Sequence, residues 1–311
     1  MIVAFNSKMV YNAEKAMGVT DMLTKEQFQA LLNNGPLILD GATGSNLRNA
    51  GMPKGCCTEQ WILENPEPLV KLQRAYAEAG SHIVYAPTFQ AQPIALKAVG
   101  LERQTEAINE ALVSLSRSAA PGCLIAGDLT TLTAFCDSWN PDNFDLLVEN
   151  YRRQIRGLID GGADLLVGET LLYPQEAEAI LCAAELEGAG AAMYTFTMQA
   201  DGSLFSGADA GKVLKGLEDA GAAAVGFNCV AADMMTPYLV SKLRRYVKGP
   251  LICKPNAGVP TIDDKGIAIY SQTPAEFAGI VQQCRNNGAN IFGGCCGTAP
   301  EYIAELHKNL I

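Results

Sequence analysis

Two short glycine-flanked motifs carry the most distinctive chemistry in the chain: Gly226-Phe227-Asn228-Cys229 and, 66 residues beyond that cysteine, the pair in Gly293-Gly294-Cys295-Cys296-Gly297-Thr298. Glycine lets the backbone turn tightly around the adjacent thiols, and a cysteine so far upstream reaches them only through the fold. Three thiolates about one point form a soft tetrahedral set with one position open, as catalytic zinc requires. A vicinal redox disulfide, or two cysteines packed as small hydrophobes, are the other readings of the adjacent pair.

Something must bring these motifs together, and the apolar patterning predicts what. Short, nearly continuous apolar runs fall at about 36–40, 82–88, 123–129, 163–169, 191–198, 223–229, 250–256 and 289–295. Each has the length and β-rich character of a parallel strand covered on both faces. Amphipathic stretches follow each run, at 66–80, 104–118, 143–161, 174–188, 209–219, 233–246, 274–286 and 299–309. Asn143, Pro274 and Pro300 mark three of their starts. Strand ends recur about every 37 residues, so eight βα units fill a single (β/α)8 TIM barrel of roughly 250 residues. An open nucleotide-binding sheet would need a Gly-x-Gly-x-x-Gly turn after its first strand, and Gly41-Ala42-Thr43-Gly44-Ser45 does not supply one. Residues 1–24 read as a short N-terminal extension, an arm or helix, ahead of a barrel over 25–311.

In a barrel the carboxyl ends of the strands converge on one mouth. Here those ends carry Asp40, Thr88, Asp128, Glu169, Thr197, Asn228-Cys229, Asn256 and Cys295-Cys296. Any one of them also suits a plainer role; an Asp before Gly41-Ala42-Thr43-Gly44 shapes a turn or caps a helix. Their joint register is what gives them chemical weight. Cys56-Cys57 lies in an irregular segment and reads as loop packing, while Cys123, Cys182, Cys253 and Cys284 fall within strands or helices and read as core. The two histidines, His82 and His307, fall at a strand start and on the last helix, so a His-based triad or His-rich metal site is excluded.

Composition narrows the partners. Lys and Arg number 23 against 33 Asp and Glu, a net charge of −10, which repels nucleic acid and anionic membrane surfaces. No run of 18 apolar residues exists to span a bilayer, and the first residues lack the basic and apolar stretches of a secretory signal. With ten cysteines spread along the chain and several inside apolar runs, the expected setting is reduced and cytoplasmic.

The chain resembles the homocysteine S-methyltransferase family, whose module also forms the homocysteine-binding barrel of cobalamin-dependent methionine synthase. The matching stretches are Asp40-Gly41-Ala42-Thr43-Gly44, Pro87-Thr88-Phe89, Tyr151-Arg152-Arg153-Gln154, Gly162-Ala163-Asp164-Leu165-Leu166, Glu169-Thr170, Gly226-Phe227-Asn228-Cys229, Pro255-Asn256-Ala257-Gly258 and Gly293-Gly294-Cys295-Cys296-Gly297-Thr298. The resemblance implies a zinc ion on Cys229, Cys295 and Cys296, with the thiol of homocysteine as fourth ligand and a methyl group transferred to it to give methionine. It further implies that Asp40 and Glu169 hold the substrate ammonium, that the amides of Gly41, Ala42 and Thr43 receive its carboxylate, and that Thr88, Asn228 and Asn256 belong to the same substrate-binding mouth. Departures occur at Pro87 and Tyr85, where relatives more often have Asn and an acid, and at Lys254, where they more often have a neutral residue. These bear on which small thiol is bound more than on the metal.

No folate- or corrinoid-binding module is evident, so the donor is expected either to diffuse in, as a sulfonium such as S-methylmethionine or S-adenosylmethionine, or to arrive on a methylated corrinoid or folate-linked partner. Competing expectations are a methyltransferase for another small thiol within a split corrinoid system, a zinc- or redox-responsive binding protein without transferase activity, and a lyase using Lys254 as a Schiff-base amine.

Overall fold

A computed structural model describes residues 22–199, 201–262 and 268–311. Seven parallel strands come first: β1 (Leu37–Ile38), β2 (Ile83–Tyr85), β3 (Leu124–Thr130), β4 (Leu165–Leu171), β5 (Ala192–Phe196), β6 (Ala224–Ala231) and β7 (Leu251–Asn256). A small antiparallel pair, β8 (Thr261–Ile262) and β9 (Ala268–Ile269), intervenes before the eighth parallel strand, β10 (Ile291–Phe292). The eight parallel strands are ordered β1-β10-β7-β6-β5-β4-β3-β2. A parallel bridge between Leu39 and Ile83 joins the two ends of that sheet, aided by the His82 amide donating to the Ile38 carbonyl at 2.7 Å. The result is the expected (β/α)8 barrel.

Each barrel strand is followed by a helix: Pro66–Glu78, Thr105–Ala119, Phe144–Asp160, Pro174–Glu187, Ala210–Asp219, Thr236–Arg244, Pro274–Asn286 and Pro300–Leu310. Proline at the first helical position costs no hydrogen bond there, and Thr273 completes a capping box with Glu276 ahead of Pro274. One expected start works differently. Asn143 makes no side-chain cap for the helix beginning at Phe144; it ends a short 3-10 turn, Pro141–Asn143, that Asn140 caps instead. Short helices Gly44–Asn49, Thr58–Glu64 and Pro93–Leu96 sit in the loops after β1 and β2, too brief to leave a periodic signature.

The strand period of two sorts side chains between the two cores. Ile38, Val84, Ile125, Leu166 and Cys253 pack outward against the helices, whereas Leu37, Leu39, Ile83, Val167, Met193, Ile252 and Ile291 fill the barrel interior. At the amino-terminal end the helix Lys25–Leu31, started by a Thr24–Gln27 capping box, presses the fully buried Phe28 into that interior core. Leu23 is stitched in just before it, donating to the Asp164 carbonyl at 2.8 Å and accepting from the Ala191 amide at 2.7 Å. Of the expected extension over 1–24, residues 1–21 lie outside the described residues.

Candidate metal centre

Stepping along the interior face two residues at a time leads from apolar floor to polar mouth: Ala126 to Asp128, Val167 to Glu169, Gly226 to Asn228, Ile252 to Lys254 and Ile291 to Cys295. A Cβ on Gly226 would collide with the Ile252 carbonyl, so glycine is what permits β6 and β7 to approach here. At the mouth the sulfurs of Cys229, Cys295 and Cys296 all lie within 4.8 Å of one another, and those of Cys229 and Cys296 are 3.9 Å apart. A tetrahedron with metal–sulfur bonds near 2.3 Å has edges of about 3.8 Å, so the three thiols already stand close to the spacing of a metal-bound set. It is the one such cluster of three or more metal-ligating side chains found among the described residues.

The thiols are coupled by their own hydrogen bonds. Cys229 and Cys295 donate toward Cys296, with the Tyr270 hydroxyl in support, and this holds the Cys296 thiol well below its ordinary range. Cys229, as donor to Cys295 and Cys296 and partly removed from water, is pushed up. Hydrogen bonds directed at Cys296 favour its thiolate, and the thiolate is the form that a soft metal ion binds.

The backbone under the site is strained where it turns the ligands. Thr170 and Cys229 are the two non-glycine residues with positive φ among those described, both at 57°, a conformation costing about 1–2 kcal/mol each. Each lies where pairing slips register: β4 against β5 between Gly168 and Leu171, and β6 against β7 between Asn228 and Ala231. Asn228 brackets the two irregularities. Its Oδ1 accepts from the Thr170 amide at 2.8 Å, and its Nδ2 donates to Thr170 Oγ1 at 2.7 Å and faces Cys295 Sγ at 3.8 Å. Asn256 Oδ1 accepts from the Cys296 amide at 3.0 Å, so both amides hold the cysteine-bearing backbone.

Below the sulfurs lies a buried charged floor. The Lys254 ammonium is 3.7 Å from Asp40 Oδ1 and 3.7 Å from Glu169 Oε2, and 4.7 Å from the centre of the Tyr85 ring. Asp40 also accepts the Tyr85 amide at 2.8 Å through Oδ2. Burial pushes the Asp40 and Glu169 carboxyls each up to about 7, against the opposing pull of Lys254. Burial and the neighbouring Glu169 carry Asp128 well above the carboxylate range. Burial pulls Lys254 down, yet Glu169 and Asp40 outweigh it and keep the ammonium charged.

Other expected site residues are tied into the frame. The Thr88 hydroxyl donates to the Asp128 carbonyl at 2.9 Å and accepts the Asp128 amide at 3.0 Å, clamping β2 to β3. Tyr151 and Gln154, from the helix after β3, reach the same strand ends: Tyr151 Oη donates to the Thr130 carbonyl at 2.8 Å and Gln154 Nε2 to that of Thr88 at 2.6 Å. In the turn after β1, the Ala42 amide donates to Thr298 Oγ1 at 3.1 Å, and a Cβ on Gly41 would strike Tyr76 and Thr298. Thr43 leads into the helix at Gly44 without a side-chain cap. The histidines pair with each other, ring centres 6.2 Å apart, with His82 Nδ1 accepting the Ile38 amide at the start of β1, away from the mouth. Tyr270, which follows the β8–β9 hairpin, was not signalled by any motif.

The chain is similar over most of its length to known proteins. The family model described as homocysteine S-methyltransferase matches residues 37–310. The metallated form of homocysteine methyltransferase MmuM from Escherichia coli is similar at a TM-score of 0.77 and 27% identity, covering 90% of this chain and 99% of that one. Its apo form is similar at a TM-score of 0.70 and 26% identity, over 90% of this chain and 98% of that one. The carboxyl transferase domain of Rhizobium etli pyruvate carboxylase shares the fold alone, at a TM-score of 0.52 and 16% identity, over 92% of this chain and 50% of that one.

Proposed function

The chain belongs to the homocysteine S-methyltransferase family, and on that premise we propose that it methylates the sulfur of homocysteine to give methionine, with a zinc ion held by Cys229, Cys295 and Cys296. The observation that carries this reading is the convergence of three sulfurs, two of them 3.9 Å apart, at the mouth of the barrel. When bound, zinc supplies an open coordination position that favours the deprotonated form of a substrate sulfur near neutral pH, where a free thiol with a pKa of about 8.5 is only a few per cent ionised.

The chain's own residues then position and select. Asn228 and Asn256 fix the backbone that presents the cysteines. Asp40 and Glu169 keep the floor acidic toward the ammonium of homocysteine, sharing that floor with Lys254, and the Gly41 and Thr43 amides are assigned to its carboxylate, that of Ala42 being already given to Thr298 Oγ1. The sulfur attacks the donor methyl group in line; the new S–CH3 bond forms as the bond from methyl to donor breaks, its electron pair leaving with the donor. With a sulfonium donor, S-methylmethionine or S-adenosylmethionine, that pair neutralises the donor sulfur and the protein works unaided. With a methylated corrinoid protein, the chain is one component of a pair. Supplying purified, zinc-loaded protein with homocysteine and each donor in turn tests this: methionine formation from at least one supports the reading, and no thioether from any of them contradicts it.

A further inference from the structure

The charged floor answers a question about the acceptor that the metal centre leaves open. A buried ammonium needs carboxylates to match it, and an amino-acid thiol brings one. Here the matching cation is already part of the protein. Lys254 is 3% exposed, stands equidistant from Asp40 and Glu169 at 3.7 Å, and is backed by the face of Tyr85 at 4.7 Å, a third favourable contact for a cation.

Asp40 Oδ1, though an ion-pair partner of Lys254 at 3.7 Å, and the Oδ1 of the remaining acid, Asp128, are both buried with no hydrogen-bond partner. The Asp128 carboxyl is carried well above the ordinary range by burial and by Glu169, the direction that favours its protonated form. The Lys254 ammonium thus stands between Asp40 and Glu169, where the amine of a ligand would otherwise find its carboxylates. An ammonium entering the floor has to share Asp40 and Glu169 with that of Lys254.

We propose that the Lys254 ammonium serves Asp40 and Glu169 in place of a substrate amine, so that the centre also accepts small thiols bearing a carboxylate but no α-ammonium. This rests on the reading of the three cysteines as a thiol-binding metal centre; the methyl transfer itself is the one described above. Lys254 is thereby a specificity-determining residue for the acceptor.

The test is calorimetric binding to zinc-loaded protein, without donor, of homocysteine and of 4-mercaptobutanoate, which is homocysteine without its amine. In the wild type the two should bind within about threefold of each other, and in Lys254→Met the ratio should move toward homocysteine by about tenfold or more, because Asp40 and Glu169 are then left for the ligand's ammonium. Homocysteine binding more than about threefold tighter in the wild type, or a smaller shift in the variant, overturns the inference. The wild-type ratio decides the matter even if Lys254→Met fails to fold, and Lys254→Gln offers a second, polar replacement. If neither thiol binds to protein that carries its zinc, the reading of the centre itself fails, an outcome distinct from the two above.

Discussion

The two ends of the barrel interior are built on the same strands and the same inward positions, yet they obey opposite rules. Toward the amino-terminal end the inward positions hold Leu37, Ile83, Leu165, Ile252 and Ile291, closed off by Phe28. Toward the carboxyl-terminal end they hold Asp128, Glu169, Lys254 and Cys295, with Asp40 beside them, and both of the positive-φ non-glycine residues found among the described residues lie there. Burying apolar surface at about 25 cal/mol per Å² stabilises the first end, while buried charge and strained backbone cost the second. The lower layers hold the fold together, and the upper layers use that stability to keep thiols and charges in fixed positions.

The sharpest way to break this contrast is to exchange the roles of the two ends by mutation. Cys295→Ser, at the mouth, should lower methyl transfer by about a thousandfold or more, on the order of 4 kcal/mol, while denaturant unfolding of the metal-free protein changes by less than about 1 kcal/mol. Phe28→Ala, at the amino-terminal end of the barrel, should do the converse. Loss of a fully buried aromatic costs about 3–5 kcal/mol of stability in the same unfolding assay, with zinc content per folded chain unchanged.

A pH series sharpens the comparison further. Asp40 and Glu169 are held protonated up to about 7 in the folded protein against ordinary values of 3.8 and 4.5. The folded chain therefore binds more protons than the unfolded one between about pH 4 and 7, and stability of the metal-free protein should fall as pH rises through that window. A proton held by one state and not the other is worth about 1.4 kcal/mol for every pH unit crossed, so the loss is on the order of a few kcal/mol, and Asp40→Asn should flatten the slope. The smallest expected effect belongs to the bracket between β4 and β6: Asn228→Ala should weaken zinc binding by about 10–100-fold, measured by competition with a chelator.

The sequence was most informative where local pattern and tertiary role coincide. Runs such as Leu165-Leu166-Val167 are apolar because a parallel strand is covered on both faces, so the barrel could be read from their spacing. The cysteine cluster was legible for a related reason: Cys229 and Cys295-Cys296 follow strands, and strand ends in a barrel meet. What stayed hidden depends on contacts across the interior. Lys254, Asp40 and Glu169 come from β7, the end of β1 and β4, and only the closed barrel brings their charged atoms within 3.7 Å. Tyr270 reaches Cys296 from a loop after a hairpin of two-residue strands, a path with no periodicity to detect. The role of Thr88 as a clamp to Asp128 was likewise invisible, since a strand-end hydroxyl looks the same whether it faces a ligand or a neighbouring strand.

The most direct test of the central claim is the zinc content of protein purified under reducing, oxygen-free conditions, wild type beside Cys229→Ser. The three-sulfur centre predicts about one zinc per chain in the wild type and less than about a tenth of that in the variant. Wild-type protein that binds no zinc even after reconstitution would contradict it.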